Sequence, residues 1–565
     1  MSNEINPLDF MKNVSVKDSL FLFPTCPKEI IEIALNLPSK SSTGPDNISN
    51  KLLKEIISYI VVPLTHIFNL SLQTGVVPDM YKLAKVVPLF KSGDKQDPNN
   101  YRPISLLPSL SKILERIVYN RLIGFLLKHD VIYYKQFGFL KGRSTEQAMT
   151  EIILKIIEAI ENKNYSLGVF LDLSKAFDSI SHNILLTKLF RYGVRGIALD
   201  WFKSFLSNRH QYVQIDNAQS STQSIEYGVP QGSVLGPLLF LIYINDMPSA
   251  SSKLSLILFA DDTTGLFNAP SLDELFSTVN NELNNLSLWL SANQLLINIS
   301  KTNFIIFMNK QKERYLALGD HHILSLNSVD IKKKDSTKFL GLLLDKNLTY
   351  QAHLNSLKVK LTKALYALRR AAKILPVKDL KTLYSALFLS YINYGLLAWG
   401  GICKREARYH ILNYGAALNP MGSLDDIHKL QKRALRIISK SNSKAHHIPL
   451  CHRLNVLDLP DLYSLKALSF CHDHFHGNLP PSLSNLFTFD FTRGNQLIVK
   501  TRYRRTNLAA SSIIHTLPNI WNTLPHEIQL SIFKSKGHFL QLLKGYFISK
   551  YSDWNCNKRN CYVCT

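Results

Sequence analysis

Residues 254–267 read LSLILFADDTTGLF: an apolar run of strand length at 254–260, then Asp261 and Asp262, then a second short run rich in Thr and Phe. Strand, two acids, strand predicts a tight hairpin with both carboxylates at its tip. An Asp-Asp turn is also ordinary hairpin chemistry. Two adjacent acids without a basic neighbour repel one another, however, and a bound cation relieves that cost. The nearest cations along the chain are Lys253 and Lys301.

Upstream, residues 167–173 (LGVFLDL) form an apolar run suited to a strand buried on both faces, with Asp172 its one charge before SKAFDSISHNILLTKLF starts a helix. A lone carboxylate there is either a cap-like structural group or a ligand held on a rigid edge. If Asp172 and Asp261 lie on neighbouring strands, their oxygens can clamp hard cations. Mg2+ suits such a pair, because it takes one or two carboxylates together with waters and substrate phosphates. Two such ions about 4 Å apart are the apparatus of in-line phosphoryl transfer. Between the two acids runs the loop 228–237, GVPQGSVLGP. Gly232 lets backbone approach a ligand closely, and the Gln231 amide both donates and accepts. The start of the helix that follows can meet phosphate or ribose groups. A plain Pro-Gly turn before a core helix reads equally well.

The 565 residues carry a net charge of +24, unevenly placed. Residues 1–345 are near neutral at +3, whereas 346–565 hold 31 basic against 10 acidic side chains, net +21. Such a field attracts a polyanion, either nucleic acid or an anionic membrane, unless it is merely a soluble basic surface. Hydrophobic residues at 46% and charged ones at 19% exclude disordered and fibrous classes. Seven scattered cysteines make no disulfide framework and point to a reducing intracellular compartment, and the acid-containing N-terminus is no secretory signal. Two uncharged stretches, 383–402 and 227–245, approach spanning length. Their Ser, Asn or Gln, Gly and Tyr residues favour buried core helices, so no membrane partner is expected.

Helical spacing covers 28–75, with a turn at 41–46 (SSTGPD). Short strands and turns follow from Lys82, an α/β texture occupies 165–265, and basic helices run from about 350 to 440.

FLDLSKAFD (170–178), YGVPQGSVLGPLLFLIYIND (227–246) and FADD (259–262) resemble, in order and spacing, the core motifs of reverse transcriptases. More narrowly, the chain is similar to polymerases of non-LTR (LINE-type) retrotransposons of the jockey-like kind. The segments at 41–54, 86–107, 136–149, 289–307 and 338–345 agree with that resemblance, which covers residues 38–345 and continues more weakly to about 540. It implies an α+β right-hand polymerase: fingers, a palm with an antiparallel sheet, then a mainly helical thumb and C-terminal region. Residues 1–70 would extend the fingers, 71–345 would be the reverse transcriptase domain and 346–445 the basic thumb, leaving 446–565 without an assigned role.

The resemblance implies RNA-directed DNA synthesis from dNTPs, with an RNA template, a DNA primer or target, and two Mg2+ ions (or Mn2+). Asp172 and Asp261 would be the metal-binding acids, Asp262 their partner, and the Leu173 carbonyl would also face a metal. Phe177 would lie under the incoming sugar and exclude a 2′-hydroxyl. Gln231 and Gly232 would line the nascent base pair, and Arg102, with Lys85 or Lys91, would grip the triphosphate. Lys301 matches a lysine that protonates pyrophosphate, or is a solvated surface residue. Phe259-Ala260 stands where the family often has Tyr before its acids. In the thumb, Lys358, Lys360, Lys363, Arg369 and Arg370 would be phosphate contacts, each with a solvated helix face as its alternative. Cys556, Cys561 and Cys564, with His538 or another His, suggest a Zn2+ site or else free thiols. The residues before the first matching segment are too few for a nuclease, and no RNase H pattern of acids is visible. A polymerase fragment of an element, or a separate open reading frame, is therefore expected, acting in the nucleus or cytoplasm. The alternatives are an intron-type or telomerase-like polymerase, and a domesticated or decayed copy that only binds nucleic acid.

Overall fold

The computed structural model describes residues 6–11, 16–314, 319, 321–401, 422–493 and 496–552. At its centre is the strand Tyr165–Ser174, buried along most of its length. It pairs antiparallel on one side with Asp262–Ala269, which returns to Ser255–Phe259, and on the other with Asn303–Phe307. Lys332–Lys333 adds a short parallel edge. Successive side chains of a strand point to opposite faces. Leu167, Val169, Leu171 and Leu173 accordingly enter one core, while Phe170 enters another. Because both faces are covered, the run is continuously apolar instead of alternating.

A second sheet joins Tyr101–Leu106, Leu83–Phe90 and Arg209–Ile215, the first pair antiparallel and the second parallel. It is pinned to the loop 228–237, where the Ser105 N–H donates to the Gln231 carbonyl at 2.8 Å. Glu115, buried on helix Ser109–Lys128, locks the same loop. Its carboxylate accepts from Ser233 Oγ at 2.5 Å and from the Val234 and Leu235 N–H groups at 2.7 and 3.2 Å. A carboxylate meeting the start of helix Gly236–Ile244 also suits the positive end of that helix.

Helix Asn50–Thr74 starts where Ser49 accepts from the Leu52 N–H, and ends at Gly75 in the left-handed conformation. Its buried stripe is Leu53, Ile57, Val61, Leu64, Phe68 and Leu72. Among the described residues it is the one helix long and apolar enough to cross a membrane, and that stripe is a core face. Neither uncharged stretch forms a continuous span. In 227–245 the helix is only the nine residues Gly236–Ile244, and in 383–402 the left-handed Gly395 separates Ser390–Asn393 from Leu396–Trp399.

The hairpin Ser336–Phe339/Leu342–Asp345 closes this part of the chain. The Asp345 carboxylate then accepts from the Thr349 and Tyr350 N–H groups at 2.9 and 2.6 Å, leading into helix Gln351–Ala371. From there to Tyr551 the helices share one core with Thr145–Glu161, in which Ile152 and Ile156 are buried together with Leu357, Trp399, Trp521 and Phe539. Residues on both sides of 445, such as Leu435 and Cys451, belong to that same core.

Candidate active site

The hairpin turn consists of Ala260 and Asp261 alone, because Phe259 already pairs with Asp262. Asp262 is therefore the first residue of the return strand and not part of the tip, which corrects the expected placement of both acids in the turn. A two-residue turn uses only two residues, and the strand begins at the third. Asp262 lies directly opposite Asp172.

Ala260 adopts φ 54°, where hairpin turns ordinarily place glycine. The segment 136–138 holds it there. Gln136 Oε1 accepts from the Ala260 N–H at 3.1 Å and from the Gly138 N–H at 2.8 Å, while the Phe137 N–H donates to the Leu258 carbonyl at 2.8 Å. A Cβ on Gly138 would sit 2.3 Å from the Ala260 nitrogen, so only glycine fits against the turn. Neither Gln136 nor Gly138 was singled out from sequence. The one available signal was their place in the segment 136–149 (QFGFLKGRSTEQAM), which agrees with the resemblance.

Burial, then repulsion from Asp261 and Asp172, pushes the Asp262 carboxyl up to about 6. Asp261 is raised mainly by burial and also by Asp172, against the opposing charges of Arg102 and Lys91. Lys91 also acts on Asp262. Lys85 lies mid-strand opposite Leu106 and Tyr212 and is not among the charges bearing on either acid. Lys301 Nζ stands 3.9 Å from Asp172 Oδ1.

The Asp172 carbonyl accepts from the Asn298 N–H at 2.8 Å. Carbonyls alternate along a strand, so that of Leu173 turns to the hairpin side. The acids thus gather repelling negative charge beside an oxygen donor, which is the chemistry of a divalent-cation site. The three aspartates are nevertheless set wider than a closed cage. Among the described residues, the sets with ligand atoms within 4.8 Å of one another are Asp273, His321 and His322, and His428, His447 and Asp458.

Phe177 stacks on Phe240 with centroids 4.6 Å apart and meets Phe139 edge-on at 6.1 Å. Gln231 Nε2 donates to both carboxylate oxygens of Asp178, at 2.9 and 3.1 Å, and Asp178 is a further residue that sequence reasoning passed over. Gly232, at φ 145°, is required by a protein neighbour: a Cβ there would lie 2.2 Å from the Ser105 carbonyl oxygen.

On helix Gln351–Ala371 the apolar face enters the core, and Lys358, Lys360, Lys363, Arg369 and Arg370 are exposed. They are not equally free, since Lys358 pairs with Asp426 at 2.6 Å and Lys360 lies over the Tyr391 ring. Cys556, Cys561 and Cys564 fall outside the described residues, whereas His538 is in helix Lys536–Ser549.

Residues 93–344 match the family described as reverse transcriptase (RNA-dependent DNA polymerase), so the fold of this segment is that of a reverse transcriptase domain. The chain is also similar to RNA-directed DNA polymerases of mobile elements. It is 30% identical over 438 residues to the probable RNA-directed DNA polymerase from transposon BS of Drosophila melanogaster, covering 74% of this chain and 45% of that protein. It is 31% identical over 389 residues to the RNA-directed DNA polymerase from mobile element jockey of Drosophila melanogaster, covering 67% and 42%. The chain thus spans under half the length of these relatives. An apo telomerase of Candida tropicalis, truncated from its C-terminal domain, overlaps 53% of this chain and 59% of its own at 14% identity, with a TM-score of 0.34. That superposition is too loose to carry an argument.

Proposed function

We propose that the chain is an RNA-directed DNA polymerase that extends a primer 3′-hydroxyl with dNTPs on an RNA template during movement of its element. The observation that carries this reading is the register pairing Asp172 with Asp262, with Asp261 in the adjoining turn and the charges of Arg102 and Lys91 bearing on it.

Asp172, Asp261 and the Leu173 carbonyl would hold two Mg2+ ions, with Mn2+ as a substitute. When bound, these ions supply activation of the attacking hydroxyl and neutralisation of charge on the leaving group. The chain's own residues bind and orient. Arg102 and Lys91, reaching the acids from the fingers sheet, meet the triphosphate. Phe177, braced on Phe240, sets the floor beneath the sugar. Gln231, tethered to Asp178, presents its amide beside the nascent pair. Lys301, 3.9 Å from Asp172, would give a proton to departing pyrophosphate. The exposed cations of Gln351–Ala371 would track the duplex through its phosphates.

The test is primer extension on poly(rA)/oligo(dT) by purified protein with Mg2+. Wild type should extend and Asp261→Ala should not. Extension that survives the substitution refutes the site assignment, and the absence of extension by wild type refutes the activity.

A further inference from the structure

The stretch 500–506, KTRYRRT, follows the hairpin Phe489–Phe491/Leu497–Val499 and has no part in the site described above. Its base is stapled to the far end of the palm. The Arg505 and Thr506 N–H groups donate to the two Glu161 carboxylate oxygens at 2.6 and 2.8 Å. The Arg505 guanidinium donates to the Glu161 and Ile160 carbonyls at 3.0 and 2.7 Å. These bonds satisfy the adjacent acid and place a cation at the C-terminus of helix Thr145–Glu161, where the helix dipole favours it.

Beyond the staple Tyr503 is 91% exposed, between the exposed Arg502 and Arg504. Burial, then the charges of Arg504 and Arg502, hold the His515 imidazole below its ordinary value. Lys163 lies in the turn just after Glu161. An exposed ring with an exposed arginine before and after it in the chain offers a face for a base and charge for nearby phosphates, although Arg502 also donates to the Asn485 carbonyl at 3.3 Å. We infer that residues 500–506 form a second polynucleotide contact, which binds single-stranded RNA or DNA by stacking a base on Tyr503 and pairing Arg502 and Arg504 with flanking phosphates. The excess of positive charge in 346–565 favours this partner over an acidic protein. The strand Tyr165–Ser174 starts beside this anchor and carries Asp172 near its other end, so at about 3.3 Å per residue the two lie roughly 23 Å apart. A strand bound at both would be extended by several nucleotides.

The inference rests on a nucleic-acid-handling chain but not on catalysis, and its test is binding. Fluorescence anisotropy would use labelled oligo(rU) and oligo(dT) of about 12 nucleotides, a length within reported single-strand site sizes. A saturating unlabelled primer–template hairpin would fill the polymerase cleft. Tyr503→Ala and the double variant Arg502→Gln/Arg504→Gln should each weaken binding about tenfold, in line with the stacking energy of a single base. Tyr503→Trp should retain it, and hairpin extension and melting temperature should not change in any variant. The ratio of the two oligonucleotide affinities tells RNA from DNA as the ligand. Wild-type affinity in both loop variants, or wild-type protein that binds anionic vesicles but neither oligonucleotide, overturns the inference. Loss of primer extension with loop binding intact counts against the polymerase reading alone.

Discussion

Asp262 stands directly across the antiparallel ladder from Asp172, so two carboxylates share one face of the palm sheet at adjoining positions. Directly opposed side chains have Cβ atoms about 4.5–5.5 Å apart, and like charges there repel. Asp261, in the adjacent turn, adds a third negative group. A fold that keeps this arrangement holds an electrostatic cost that a divalent cation would remove.

The pH dependence follows from Asp262, whose carboxyl rises from 3.8 to about 6 through burial and its two acidic neighbours. An acid raised on folding disfavours the fold when it ionises. Its destabilisation begins as pH climbs past 3.8 and is complete above about 6. Metal-free protein should therefore lose stability across that window, and Asp262→Asn should flatten the loss and melt higher at neutral pH. Added Mg2+ should raise the melting temperature of wild type more than that of the variant. Thermal melts with EDTA and with Mg2+ from acid to neutral pH check this; identical profiles would contradict it.

Phe177 is fixed by its stack on Phe240, so the space it occupies cannot be vacated by a rotamer change. Phe177→Ala should raise ribonucleotide incorporation relative to deoxynucleotide on the order of tenfold or more, the scale of discrimination that pocket shape supplies. Single-nucleotide extension with paired dNTP and rNTP series measures it, and unchanged sugar discrimination would remove Phe177 from that role.

Asp178 matters through Gln231. Cutting a bond to a charged partner costs about 1.5–3 kcal/mol, so Asp178→Ala should lower kcat/KM for dNTPs about tenfold or more. The loss should appear chiefly in KM, and Asp178→Asn, which can still accept one bond, should recover part of it. Steady-state extension kinetics decide the point.

Gly138→Ala should impair catalysis more than folding, because the added carbon collides with the Ala260 nitrogen inside the turn that carries Asp261. A shift of about 1 Å at a reacting group can cost a hundredfold in rate. Extension assays alongside melting curves should show activity falling by roughly that factor with a modest change in melting temperature.

Lys188 and Asp246 form a fully buried ion pair at 2.5 Å, and Trp289 Nε1 donates to the other carboxylate oxygen at 3.2 Å. Asp246→Ala leaves a buried ammonium without its partner and should cost about 3–5 kcal/mol of stability. Lys188→Met/Asp246→Leu should cost much less. Chemical denaturation of the three proteins tests the comparison.

The strand that carries Asp172 was legible because an unbroken apolar run with one acid at its end has few readings, and the hairpin because two such runs flank the acids. The exact position of Asp262 was not, since the sequence does not say which two residues a tight turn will consume. Gln136, Gly138, Asp178 and Glu115 escaped for a different reason. Each acts on a partner 53 or more residues away, and nothing in local spacing encodes such a meeting. Gly232 was read as a point of close approach to a ligand, whereas what lies against it is the Ser105 backbone of the second sheet.

Helix Thr145–Glu161 sits inside the segment that matches the polymerase family, yet its isoleucines are buried among side chains contributed after Asp345. Trimming the chain to that segment would wet Ile153, Leu154 and Ile157, which face Tyr350, Leu397 and Leu508, and leave a greasy scar along the palm. Recombinant pieces ending there should collect in inclusion bodies, and soluble preparations should need the helices that run on to Tyr551.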